Sequence, residues 1–234
     1  MKSFLTITIA FLLSFLTLES FAQKKIKSPD LKIGIGYPYA FGNINEEGSN
    51  TGEVSKITGF PSLSIEKPIP IEHKRKNMFS INPGIAYYGF QEKFQYGTIV
   101  VGRDDNLNHH SLSAYSKFLY QKKFYGPSTG FIYLGAIAGF HMITKTMGTR
   151  ISYGLTPGEP LVETKANEPA KDFYGTFYYG AVLGIQPKAK VTNKIKLSFE
   201  GEFFPALVKR INRNAQFHDA TVAQLTVYLG LRLD

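Results

Sequence analysis

Apolar and polar residues alternate with a period of two along most of this chain, in segments of about ten residues. Alternation with this period places every second side chain on the same face of a β-strand. In the first segment Leu31, Ile33 and Ile35 share one face, while Lys32 and Gly34 share the other. The pattern predicts an all-β fold with eight strands. The predicted strands are 31–39, 60–69, 79–90, 111–121, 130–143, 173–186, 195–204 and 221–233.

Three features of these segments predict which face is buried. The charges within the strands lie on the polar face, that face is also rich in glycine, and longer connections alternate with shorter ones. A solvated outer face does not need many glycines, whereas the crowded interior of a narrow barrel needs small residues. We therefore predict an eight-stranded antiparallel up-and-down transmembrane β-barrel, with its apolar face toward lipid. An even number of strands closes such a sheet without an edge.

The first 22 residues have the pattern of a cleaved signal peptide. Lys2 precedes an apolar run over residues 4–18, and Ser20 and Ala22 have the small-x-small spacing that signal peptidase reads. Cleavage after Ala22 would leave a short basic lead, residues 23–30, before a barrel over residues 31–234. The chain has no cysteine, so we expect no disulfide and no lipid attachment at a cysteine.

Seven charged residues within the predicted strands lie on the face that we expect to line the lumen. An interior of eight strands is just wide enough to be filled by side chains, and unpaired charges there would be costly. We therefore predict a structural network of ion pairs and tyrosine hydrogen bonds in a filled lumen. The residues of this predicted lumen network are Lys32, Glu66, Lys117, Lys196, Glu200, Glu202 and Arg232.

The connections between the predicted strands indicate the orientation and the partners of the barrel. The longer ones, such as 91–110 and 144–172, carry most of the acids and are expected outside the cell. The shorter ones, such as 70–78 and 122–129, are basic and suit anionic headgroups on the periplasmic side. We therefore expect outer membrane lipids as partners, and a periplasmic or cell-surface protein. Nucleic acid is not expected, because the basic residues are scattered over turns.

Few residues indicate catalysis or metal binding. His110 and Ser111 adjoin, but neighbours on a strand point to opposite faces, so they cannot readily pair. His141 is expected in the lumen as a hydrogen-bonded side chain. The paired acids of GRDDN, residues 102–106, lie in a predicted loop and lack the spacing of a dedicated calcium loop. We predict no catalytic residues, no metal site and no cofactor.

Four strand sequences carry a resemblance to a known group of proteins. They are IYLGAIAGF (132–140), FYYGAVLGI (177–185), IKLSFEGEFF (195–204) and LTVYLGLRL (225–233). With the signal ending SFAQ, they make the chain resemble the small outer membrane β-barrels common in Bacteroidota, including PorT-like barrels. In outline the chain also resembles eight-stranded barrels of the OmpX and OmpA type. The resemblance implies an outer membrane location and no single function. Such barrels usually end in an aromatic residue, and here Leu233 and Asp234 take that place.

Three functional hypotheses follow from the sequence. The leading one is a non-enzymatic outer membrane barrel that acts through its extracellular loops or its periplasmic rim, in surface interaction or in a secretion or envelope accessory role. The second is a soluble periplasmic or secreted barrel that binds a lipophilic ligand inside, and it requires Ile33, Leu134, Phe199 and Leu229 to point inward. The third is an outer membrane lipid-modifying enzyme, for which His110 is the residue to test.

Overall fold

The computed structural model of the protein describes residues 31–41, 44–45, 52–74, 77–97, 102–124, 130–154, 162–187, 195–211 and 217–231. The predicted signal peptide, the basic lead and Arg232 lie outside the described residues. Across the described ranges, no helix has the length and apolar content needed to cross a bilayer.

Twelve β-strands make up the described structure. They are β1 (Leu31–Ala40), β2 (Ile44–Asn45), β3 (Gly52–Gly59), β4 (Ser62–Glu66), β5 (Ile69–Lys74), β6 (Asn77–Gly97), β7 (Gly102–Phe124), β8 (Gly130–Tyr153), β9 (Val162–Glu168), β10 (Phe177–Gln186), β11 (Ile195–Ile211) and β12 (Phe217–Leu231).

These strands form a closed antiparallel ring. Strands β3, β4 and β5 all pair with β6 and act as consecutive pieces of one barrel strand. Strands β9 and β10 both pair with β8 and act as pieces of another. The remaining pairings run β6–β7–β8 and β10–β11–β12, and β1 closes the ring by pairing with both β12 and β4. The ring therefore has eight barrel strands, as the alternation predicts.

The two faces of the ring have opposite chemistry. Apolar side chains point outward and remain exposed, as Ile35 at 60 % and Leu225 at 64 % show. Charged and polar side chains point inward, and Lys117, Glu200 and Thr226 are 0 % exposed. A water-soluble barrel has its apolar face inside, whereas a barrel surrounded by lipid has it outside. The chain is a transmembrane β-barrel.

This arrangement overturns the hypothesis of a soluble barrel with a lipophilic ligand inside. The four residues that had to point inward are on the lipid face, with exposed fractions of 39 % for Ile33, 59 % for Leu134, 37 % for Phe199 and 45 % for Leu229. The hypothesis is wrong because the apolar half of the alternation faces outward, and an apolar ligand inside would meet the charged half instead.

Several strands are longer than the sequence predicts. A transmembrane strand needs about 9–11 residues, yet β6, β7 and β8 have 21, 23 and 24 residues. Residues 91–97 and 102–110, predicted as loop, are paired strand, and so is the GRDDN segment. The prediction of long loops at these places is wrong, because polar residues continue the strands beyond the apolar belt.

The strand extensions form a second structural unit at one end of the barrel. Leu31 and Leu231, the first and last strand residues of β1 and β12, are register partners and mark what we call the terminal end. At the opposite, distal end, β3 and β9 join the extensions of β6, β7 and β8 in the order β3-β6-β7-β8-β9. We call this unit of five longer strands the distal sheet, and the two-residue strand β2 pairs with β3 at its edge.

Pro83 interrupts the ladder on one side only. The sequence predicts a bulge or a lapse in pairing there, because proline cannot donate to a ladder. Pairing with β7 continues through Pro83 and Ser116 without a shift. On the other side the ladder between Glu66 and Ile69 is interrupted, and one bond remains from the Lys67 amide to the Pro83 carbonyl at 2.9 Å. The lapse in pairing is therefore confirmed on the β4–β5 side.

Residues 169–176, which we call the inward segment, leave the barrel wall between β9 and β10 and turn three of their side chains into the lumen. Ala170, Phe173 and Tyr174 within it are buried. The backbone is held by bonds from the Tyr174 amide to the Ala170 carbonyl at 3.0 Å and from the Lys209 amide to the Phe173 carbonyl at 2.8 Å. The prediction of a strand from residue 173 is therefore wrong, since β10 begins at Phe177.

Candidate functional site

Lys117 of β7 lies at the centre of a buried polar cluster in the lumen. Its Nζ is 2.6 Å from Glu200 Oε2, 2.6 Å from Glu202 Oε1 and 3.1 Å from Glu66 Oε2. The same ammonium donates a hydrogen bond of 2.8 Å to the Tyr228 hydroxyl. Four partners around one ammonium offset the cost of removing it from water.

Lys32 of β1 bridges two of the same carboxylates. Its Nζ lies 3.2 Å from Glu66 Oε1 and 3.2 Å from Glu200 Oε1. Two neutral side chains also donate hydrogen bonds to these carboxylates: Tyr133 donates to Glu200 at 2.9 Å, and Asn82 donates to Glu66 at 3.0 Å. The cluster joins residues of seven of the eight barrel strands and spans the lumen.

The structure thus brings five of the seven predicted network residues together. The two lysines and three glutamates in contact carry a formal charge of 2 − 3 = −1. Lys196 is half-buried on β11, two residues before Ser198 on the inner face, and it also has an interaction of its own. Arg232 lies outside the described residues.

Tyrosines that the sequence prediction did not name line the lumen, and four of them lie over a glycine. Four lumen tyrosines pair across neighbouring strands with a glycine. A Cβ added to any of these glycines would come within 3.0 Å of the ring. The glycines therefore make room for rings that reach toward the centre. The pairs are Gly34–Tyr228, Gly84–Tyr115, Gly139–Tyr178 and Gly184–Tyr133. The glycine-rich polar face was the signal that could have identified them.

Adding a methyl group at Gly184 should lower stability much more than adding one at Gly201. At Gly184 the added Cβ would collide with the Tyr133 ring, whereas at Gly201, on the lipid face, it would lie 3.7 Å from the Leu183 carbonyl oxygen. We expect Gly184→Ala to lower the free energy of unfolding by about 1–3 kcal/mol and Gly201→Ala to change it little. Urea titration of the folded protein in lipid vesicles measures both, and equal losses would contradict the collision with the ring.

Aromatic rings fill the lumen on the distal side of the charged cluster. Tyr88, Tyr178 and Phe204 contact one another edge to face, with centroid separations of 5.7–6.2 Å. Phe173 of the inward segment stacks on His109, with centroids 3.7 Å apart and planes 6° apart. The rings are buried, so this layer closes the lumen on the distal side of the polar cluster.

His109 belongs to the wall that supports the inward segment. Its Nδ1 is 2.9 Å from the Thr146 hydroxyl and its Nε2 is 3.1 Å from Glu92 Oε2. Both ring nitrogens therefore have partners on neighbouring strands, and one ring face is covered by Phe173. The geometry fits a supporting role, because none of these contacts leaves a ring nitrogen available to a nucleophile.

His110 and Ser111 face opposite sides of the wall, as the strand periodicity predicts. His110 is on the outer side, with its Nδ1 2.5 Å from the Tyr87 hydroxyl. Ser111 is 1 % exposed on the inner side, where its hydroxyl lies 2.6 Å from His141 Nδ1. His141 also contacts Ser113 at 2.8 Å. The serine and histidine that do meet are inside the filled lumen, away from a lipid substrate.

The inner side of the distal sheet is held by charged side chains. Arg103 binds both oxygens of Asp105 through Nε, at 2.9 and 3.0 Å, and these bonds raise the pKa of Arg103. Arg150 forms an ion pair with Glu168 and joins β8 to β9. Asp104 and Asp105 are neighbours on a strand and point to opposite faces. The two acids of GRDDN therefore do not converge on one point.

The outer side of the distal sheet has a hollow of about 590 Å³, lined by polar and charged side chains together with Val54 and Ile151. Register partners cross the five strands side by side, so that one row of the sheet combines ammonium, amide and hydroxyl groups. That row is Lys56, Lys93, Asn106, Thr149 and Lys165. Asp104 and Glu163 add carboxylates to the lining. We call this concave face the distal hollow.

Comparison with known proteins shows only distant similarity. No protein-family model and no curated protein matches the chain. Neisserial surface protein A has a TM-score of 0.41 and 11 % identity, and the match covers 89 % of this chain and 100 % of that one. Ail, the attachment invasion locus protein of Yersinia pestis, has a TM-score of 0.34 and 12 % identity, and the match covers 88 % of this chain and 99 % of that one. The outer membrane protein OprG from Pseudomonas aeruginosa has a TM-score of 0.39 and 10 % identity, and the match covers 86 % of this chain and 93 % of that one. TM-scores this low do not indicate a shared function.

Proposed function

We propose that the protein is a non-enzymatic outer membrane barrel that presents the distal hollow outside the cell to a polar ligand or protein partner. The observation that carries the proposal is the continuation of β6, β7 and β8 far beyond the length needed to cross a membrane. The added residues form a five-stranded sheet with a concave polar face. Membrane insertion alone does not require such a sheet.

The filled lumen supports this choice over a role in conduction. The charged cluster and the aromatic layer occupy the lumen with side chains that are nearly all below 5 % exposed. Opening a path for a solute would require separating Lys117 from three carboxylates, each within 3.1 Å. The barrel then serves as a rigid anchor, and recognition belongs to the distal sheet.

The chemistry of the distal hollow supports a polar partner. Its ammonium, amide, hydroxyl and carboxylate groups are mixed along neighbouring strands. Recognition of a polar molecule by such a face depends on hydrogen bonds from several fixed side chains, and strands hold side chains more rigidly than loops do. The partner therefore presents hydrogen-bonding groups and charges of both signs.

Cysteine labelling should show which end of the barrel is outside. The natural chain has no cysteine, so Asn106→Cys in the distal hollow and Lys122→Cys near the terminal end give a matched pair on one strand. On intact cells a membrane-impermeant maleimide should label Asn106→Cys and leave Lys122→Cys unlabelled. Permeabilising the outer membrane should then expose Lys122→Cys. The reverse pattern would overturn the proposed orientation.

Two further measurements distinguish presentation of the distal hollow from conduction and from lipid modification. Purified barrel in a planar bilayer should give no stepwise conductance, because the lumen is filled. The His110→Ala variant should leave the lipid profile of the cells unchanged, because the outward histidine meets Tyr87 and not a serine. Stepwise conductance would favour a pore, and an altered lipid profile would favour the enzyme hypothesis.

A further inference from the structure

A lysine lies on the lipid-facing side of the barrel. Lys67 follows Leu63 and Ile65 on the outer face, where these two are 54 % and 52 % exposed, and Ile71 beyond it is 59 % exposed. A charged side chain on the lipid face of a barrel is destabilising unless something compensates for it. Lys67 therefore places a positive charge beside the apolar outer face, where an anionic lipid headgroup can approach it.

A groove opens on the outer surface beside Lys67. Here the ladder between β4 and β6 lapses opposite Pro83, and the groove has a volume of about 610 Å³. Its lining is otherwise largely apolar and includes Leu31, Ile65, Ile85, Leu112 and Phe140. A concave apolar surface within the belt is in contact with acyl chains, because the lipid is the solvent there.

The groove runs from Lys67 toward the distal end. Lys67 lies at the level of Pro83, since the two are joined through the backbone. Tyr87, which also lines the groove, is four residues further along β6. Four strand residues span about 13 Å. Lys67 therefore marks the end of the groove that lies nearer the terminal leaflet, where a headgroup would be.

The nearby carboxylate does not compete for this position. Glu66 adjoins Lys67 in the chain and touches the groove, but its carboxylate is turned into the lumen and bound by Lys32 and Lys117. An ammonium has three donors. A phosphate can therefore bind Lys67 beside its contacts within the protein.

We propose that Lys67 and this groove form a binding site for one anionic phospholipid, with the phosphate at the ammonium and an acyl chain along the groove. The ligand comes from the leaflet at the terminal end. This lipid site is independent of the distal hollow, so a negative result for one does not bear on the other.

Native mass spectrometry of the full chain in detergent tests this site. We expect the natural protein to retain phosphatidylglycerol about fivefold more than phosphatidylcholine, which corresponds to one lysine near a phosphate. Lys67→Leu should remove the preference, and Lys67→Arg should keep it. Lys145→Leu removes an exposed lysine from the distal part of β8, away from the groove, and should have no effect. A preference that survives in Lys67→Leu, or that is absent from the natural protein, would overturn the site.

A second variant tests the groove itself. Ala114→Leu narrows the groove without touching the charge. It should reduce the retention of both lipids while heat-modifiable gel mobility shows a folded barrel. Inorganic phosphate lacks the chain and should not displace bound phosphatidylglycerol. Displacement by inorganic phosphate, or unchanged lipid retention in a folded Ala114→Leu variant, would contradict a lipid held by both parts.

Discussion

Lys117→Met should lower the free energy of unfolding by about 3–5 kcal/mol, because it leaves three buried carboxylates without their main cation. Lys117 Nζ lies within 3.1 Å of an oxygen of Glu66, Glu200 and Glu202, and its side chain is 0 % exposed. Lys32 remains close to two of them, but Glu202 has no ion pair with Lys32. Urea titration in lipid vesicles, followed by heat-modifiable mobility, measures the loss.

A second substitution in the same chain separates electrostatics from lost packing. Glu202→Gln removes the carboxylate that depends most on Lys117 and keeps its size, so we expect it to restore part of the stability of Lys117→Met. Lys122→Met, on the exposed end of the same strand, should change stability little. If the double variant is no more stable than Lys117→Met alone, uncompensated charge is not the source of the loss.

Strand periodicity was enough to predict the ring and the orientation of its faces. A one-residue shift moves a side chain to the opposite face, so the alternation at Ile33 and Ile35 fixes Lys32 and Gly34 on the inner side. The strand charges on that face then had to converge in a narrow lumen. The contacts of Lys32, Glu66, Lys117, Glu200 and Glu202 follow this logic.

The ends of the strands could not be predicted in the same way. Beyond the apolar belt both faces of a strand become polar, as in residues 102–106, and the alternation that identifies a strand disappears. Pairing there is maintained by partners on other strands, such as Arg150 with Glu168. The polar residues of GRDDN therefore resembled a loop although they continue β7. The distal hollow depends on these extensions and was not predicted.

The inward segment was missed for a different reason. Residues 173 and 174 are aromatic and precede a clear alternating run, so the period of two seemed to continue through them. Their destination is decided by tertiary contacts: Phe173 stacks on His109, and the Tyr174 hydroxyl donates to the His109 carbonyl at 3.1 Å. Periodicity describes a single strand and carries no information about a partner that lies 65 residues away from Tyr174 in the chain.

Phe173→Ala should be the second large effect, because this ring joins the inward segment to the barrel wall. The side chain is 2 % exposed and contacts His109 and Phe90, with centroid separations of 3.7 and 6.1 Å. Removing a buried phenylalanine costs about 3–5 kcal/mol. We expect that loss in urea titration, together with faster hydrogen exchange of residues 169–176. The matched control is Phe177→Ala, four residues along the chain, whose ring is 75 % exposed on the lipid face. If both variants lose the same stability, the ring at 173 does not anchor the segment. If Phe173→Ala loses stability while exchange in residues 169–176 stays slow, the backbone bond between Lys209 and Phe173 holds the segment without the ring.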